Sequence, residues 1–179
     1  MPRSVSYVPF GYEPPKEEEK GTILMFGEFD PPDEDELLEL IRWADKHSFK
    51  GFVFYPQHEQ TLRRMGLSCE QPYHSRLKEL QRFVEEQPSR GLKIQVDAWE
   101  GKRKKYTPLE TSLDFFDGKK YEAPFFVCMS GEYANRFASY PSFQEWIRKV
   151  RLLVDSRDPF VPHPQLERYS SRWGLLGQE

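Results

Sequence analysis

Apolar residues along this chain concentrate in short blocks separated by longer amphipathic stretches. The blocks occupy residues 22–26, 51–55, 92–96, 125–129 and 150–154, each rich in β-branched or aromatic side chains. Apart from 92–96, none alternates strictly between apolar and polar positions, which predicts strands covered on both faces. Between them, residues 33–46 place Leu37, Leu40, Ile41 and Ala44 on one helical face. Residues 74–86 do the same with Leu77, Leu80 and Phe83 or Val84. Residues 108–116 predict a shorter helix, and Ser142-Phe143-Gln144-Glu145 reads as a capping box opening a helix through Lys149.

Strands separated by helices imply right-handed crossovers and a parallel sheet. The predicted fold is a single doubly wound, Rossmann-like α/β domain with a mostly parallel sheet of about five strands. It spans residues 21–158. Residues 1–20, with four prolines and a charged run, predict an extended or disordered arm, and 159–179 a Pro-rich segment packing on the domain. In such a sheet a ligand lies beyond the carboxyl ends of the strands, at the point where the strand order reverses.

Composition narrows the function classes. A hydrophobic fraction of 37%, with 14 Phe and 9 Tyr, supplies a core for one domain of 179 residues. A net charge of −3 does not favour nucleic acid as a partner. No apolar run approaches the roughly 18 residues needed to cross a bilayer, and the first 20 residues show no secretory signal pattern. The two cysteines, Cys69 and Cys128, predict neither a structural disulfide nor a thiolate metal site, so the expected setting is reduced and cytoplasmic.

The most informative stretch joins the first strand to the first helix: Gly27-Glu28-Phe29-Asp30-Pro31-Pro32-Asp33-Glu34-Asp35-Glu36. A strand, Gly turn and helix of this kind normally aim free backbone N–H groups at a phosphate. Here the first helical turn is filled with carboxylates. That run complements the helix dipole, and it also reads as a metal or altered-chemistry site or as a docking face for a basic partner. His58 lies just past the second strand, as a ligand or acid–base group or as a solvated loop residue. His47, His74 and His163 read as helix-end or loop residues, and the four histidines share no metal-ligand spacing. The run Lys102-Arg103-Lys104-Lys105 reads as a solvated turn or a contact for phosphate or an acidic surface. Trp99 and Trp173, outside the predicted elements, are the stacking candidates.

In order and spacing these pieces resemble the nicotinate-mononucleotide adenylyltransferases of the wider H-x-G-H nucleotidyltransferase group. The likeness is carried by Gly27-Glu28-Phe29-Asp30-Pro31, by Pro56 closing the second strand, and by His74-Ser75-Arg76-Leu77. It continues through Asp97-Ala98-Trp99-Glu100, Tyr106-Thr107, the Gly131 turn, Trp146, the strand running to Arg157, and Ser170-Ser171-Arg172. It covers roughly residues 21–173. The resemblance implies ligand contacts at Gly27, Phe29, Asp30, His58, Arg76, Trp99, Gly131, Arg157 and Ser171.

At the two signature histidines the chain departs from the family, carrying Asp33 and Glu36, with Asp35 at the intervening Gly. The family's imidazoles donate to nucleotide phosphates. Carboxylates only accept, and two like charges about 4 Å apart repel by ~4 kcal/mol at an effective dielectric near 20. The expectation is a non-catalytic relative that binds a nucleotide-like ligand or a macromolecular partner, with no metal and no cofactor assigned. One alternative is an active adenylyltransferase joining ATP and a mononucleotide with Mg²⁺, with His58, Arg76, Arg157 and Ser171 on the phosphates. The other is a protein–protein interaction module without a small-molecule ligand.

Overall fold

Among the described residues, six strands lie parallel in one sheet: β1 (Lys20–Gly27), β2 (Phe49–Pro56), β3 (Lys93–Val96), β4 (Phe125–Ser130), β5 (Arg151–Asp155) and β6 (Trp173–Leu175). Their order is β3-β2-β1-β4-β5-β6, so the winding reverses between β1 and β4. The computed structural model describes residues 20–88, 91–117, 121–155, 157 and 159–176. Most of the expected arm, residues 1–19, lies outside that set, while Lys20 already opens β1.

Each strand sends alternate side chains to opposite faces, and helices cover both. Ile23, Met25, Phe52, Phe54 and Leu153 pack with Leu37, Leu40 and Ile41 of α1 (Glu34–Lys46) and Leu80 and Phe83 of α3 (Tyr73–Glu85). Leu24, Phe26, Val53, Tyr55, Val127 and Leu152 face the other core. That core is closed by α5 (Leu109–Asp117), α6 (Gly131–Ala138), α7 (Phe143–Ile147) and α8 (Pro164–Arg168). The short helices α2 (Glu59–Arg64) and α4 (Trp99–Arg103) follow β2 and β3 directly. Burial on both faces explains the lack of simple alternation in the inner strands, whereas the edge strand β3 alternates and is only half-buried.

Three expectations change. The sheet has six strands among the described residues, because Trp173–Leu175 pairs with β5 as β6. The capping box at Ser142 does not form: its backbone is already helical (φ −76°, ψ −9°), its side chain caps nothing, and α7 ends at Ile147. Trp99 and Trp173 stand inside elements, opening α4 and β6. Among the described residues no helix is long and apolar enough to cross a membrane.

Candidate binding site at the switch point

The reversal between β1 and β4 leaves a cleft of about 340 Å³ where the β1–α1 turn faces the ends of β4 and β5. Six carboxylates line it: Glu28, Asp30, Asp33, Glu36, Glu70 and Asp155. Among the described residues, no lysine, arginine or histidine does.

The turn after β1 is built to hold this shape. Phe29 takes a left-handed backbone (φ 52°) and buries its ring against Phe54, centroid to centroid 5.9 Å. The next carboxylate, Asp30, accepts backbone N–H bonds from Glu70 (2.5 Å) and Gln71 (3.0 Å), tying the turn to the loop before α3. Burial opposes the Asp30 charge, yet these bonds prevail and hold its carboxyl below the ordinary range. Asp33 caps α1 by accepting from Glu36 N at 3.3 Å. Gly27 ends β1 without needing to be glycine, since a Cβ there would meet Phe29 at an ordinary 3.5 Å.

At the second signature position, Glu36 meets Arg157, whose guanidinium also grips Asp155: Nε to Oδ1 at 3.1 Å and Nη2 to Oδ2 at 2.5 Å. Burial opposes ionisation of Asp155, but Arg157 keeps it charged with a lowered pKa. Burial and the neighbouring Asp155 push Glu36 up to about 7, against the pull of Arg157. One cation thus bridges two acids at the mouth of the cleft, in the place the resemblance assigns to phosphate. Glu28, largely desolvated and near Glu132 and Asp30, is raised as well.

The opposite wall offers phosphate little. Ser130 caps α6 by accepting from Tyr133 N at 3.1 Å. The ring of Phe160 covers Gly131, so closely that a Cβ there would lie 2.3 Å from it. The glycine turn serves an aromatic side chain of the same molecule.

Of the other residues named from sequence, Arg76 is fully buried and donates to the carbonyls of Gln71, Glu28 and Gln57 at 2.9, 2.8 and 2.8 Å. Its guanidinium is consumed by the loops. His58 caps α2, its Nδ1 accepting from Gln60 N, and its own N–H donates to Glu100 Oε2 at 2.7 Å. Trp99 stacks flat on Phe115, 4.2 Å between centroids, as a core contact. Trp173 donates its indole N–H to the Leu166 carbonyl at 2.7 Å. Ser171 lies in the 3₁₀ turn before β6, where its carbonyl accepts from Arg151 at the start of β5. That is the opposite end of the sheet from the cleft, so Ser171 and Arg157 do not share a site.

Of the residues named from sequence, the cleft is lined by Phe29, Asp30, Asp33 and Glu36; Gly27 and Gly131 adjoin the lining in the chain and Arg157 reaches it through Glu36 and Asp155, while His58, Arg76, Trp99 and Ser171 lie outside it. Sequence reading missed Asp155, Glu28 and Glu70, although Asp155 closes a recognisable strand and so had to point toward the ligand edge. It also missed Glu100, fully buried at the start of α4, whose carboxyl burial pushes up to about 7. Mg²⁺ does not suit the cleft: no three potential metal ligands converge among the described residues, and Glu36 and Asp155 already share Arg157. No protein-family model and no curated protein matches the chain.

Proposed function

We propose that this chain is a non-catalytic, diverged relative of the nicotinate-mononucleotide adenylyltransferases whose switch-point cleft binds a basic segment of a protein partner. The observation carrying this reading is the Arg157 guanidinium held between Asp155 and Glu36. The cleft already accommodates a cation where an adenylyltransferase would hold phosphates. An arginine or lysine from a partner would meet four further carboxylates there, two of which, Asp30 and Asp33, are held in place by backbone N–H groups. A nucleotide triphosphate would meet the same groups as repulsion, without a histidine, lysine or lining arginine to offset it. Two free cysteines, one of them buried, support a cytoplasmic setting.

Calorimetric titration with a hexa-arginine peptide, set beside ATP, NAD and nicotinate mononucleotide with and without Mg²⁺, tests the proposal. The peptide is expected to bind with an affinity that falls as salt rises and that Asp155→Asn and Glu36→Gln weaken. The nucleotides are expected to leave the melting temperature unchanged, whereas a ligand at 100 times its Kd would add ~2.7 kcal/mol of stability. Protection by ATP, or pyrophosphate release from ATP plus mononucleotide, would overturn it.

A further inference from the structure

A second cavity, of about 630 Å³, opens at the carboxyl edge of β2 and β3, away from the switch point. We infer that it is a binding site for a small organic anion with an apolar, ring-sized body, an aryl carboxylate being the simplest member of the class. Pro72, Tyr73, Leu77 and Ala98 supply its apolar walls, and the exposed Lys102 and Lys104 stand at its rim. The basic run in the sequence thus lies beside a cavity and does not simply face water. Apolar walls with a few convergent charged groups, within the size range of small-molecule sites, are what such a ligand requires.

The cavity is prebuilt. Tyr73 lies so close over Gly101 that a Cβ there would come within 2.1 Å of the ring. The same ring stacks on His58 at 5.8 Å, and the buried Arg76 guanidinium sits 5.6 Å from its centroid. A wall held from three sides costs little to order when a ligand arrives.

Charge selects the sign of the ligand. Among the described residues Glu59 is the one carboxylate of the lining, and it is already engaged: its Oε1 accepts from Tyr73 N at 3.1 Å and pairs with Arg76 Nη2 at 3.3 Å. Burial disfavours its charge, but backbone N–H bonds, His58 and Arg76 outweigh that and lower its pKa. The two rim lysines are thereby left to an incoming anion. The first turn of α3, which borders the cavity, also carries no acid, in contrast to α1 with Glu34, Asp35 and Glu36. One edge of the sheet accordingly carries two clefts of opposite preference.

Amide chemical-shift titration of the full chain with 2-naphthoate, and with its neutral counterpart 2-naphthamide, tests the assignment. Naphthoate is expected to shift residues 72–77 and 98–104 saturably and to bind more tightly than the amide. Lys102→Glu with Lys104→Glu, both at exposed positions, should weaken naphthoate at least about fivefold and leave naphthamide unchanged. Leu77→Arg should weaken both probes by filling the cavity. Undiminished naphthoate binding in the double-lysine variant, shifts centred elsewhere, or the lack of a saturable shift would each overturn the inference.

Discussion

Arg76 Nη1 donates to the Gln57 carbonyl at 2.8 Å from a side chain with no exposed surface. The same nitrogen reaches the Glu28 carbonyl, and Nε reaches Gln71, so one guanidinium fastens the loop after β1, the loop after β2 and the entry to α3. Replacing it by methionine keeps the volume and strips three carbonyls of their donor. An unmet buried acceptor costs about 1–3 kcal/mol, so Arg76→Met should lose roughly 4 kcal/mol in urea unfolding. A loss under about 1 kcal/mol would mean that water replaces the guanidinium and that the loops are held by other means.

What the sequence revealed and concealed follows from burial. β1, β2 and β4 were legible because each is a largely apolar block, and α1 because Leu37, Leu40, Ile41 and Ala44 repeat at helical spacing and all are buried. Trp173-Gly174-Leu175 was not, since three residues carry no period and only pairing with β5 makes them a strand. The acidic composition of the cleft was legible at Asp33 and Glu36. Its partner Arg157 looked like a phosphate contact because nothing in the local sequence shows that Asp155, two residues earlier, takes two of its three side-chain nitrogens. Arg76 misled for a related reason: its carbonyl partners lie 5, 19 and 48 residues away in the chain.

The covering of Gly131 by Phe160 carries its own test. Gly131→Ala drives a methyl into the ring, and overpacking of this kind costs about 1–3 kcal/mol. Phe160→Ala removes the obstacle. The double variant should therefore be less destabilised than the sum of the two single ones by at least about 1 kcal/mol, measured as a double-mutant cycle by denaturant unfolding. Strict additivity would show that the ring does not sit on the glycine.

Arg157 occupies the cation position that a partner would use. Arg157→Ala should consequently raise the affinity of the cleft for a hexa-arginine peptide, about threefold or more, since the peptide no longer competes with a tethered guanidinium. Adding methylguanidine should blunt that gain. If the variant binds the peptide more weakly than the parent protein, Arg157 is itself part of the docking surface and the competition argument fails.

Glu100 sets the pH dependence of stability. Burial raises its carboxyl from an ordinary 4.5 to about 7, so the folded state holds this proton more tightly than the unfolded chain does. Stability from this group is therefore intact below pH 4.5, declines as pH rises toward 7, and is level above that. The full displacement corresponds to at most about 3 kcal/mol. Glu36 acts in the same direction and window, reduced by its partial exposure to less than about 1 kcal/mol. Asp30, Glu59 and Asp155, whose carboxyls are lowered, act oppositely and withdraw stability only as the solution becomes more acidic than their ordinary range. Urea midpoints should thus be highest near pH 4.5 and fall toward pH 7. Glu100→Gln keeps an acceptor for the His58 N–H and removes the titration, so it should flatten most of that decline. A parent protein whose midpoint rises across this interval, or a variant that declines just as steeply, would show that Glu100 is ionised in the fold.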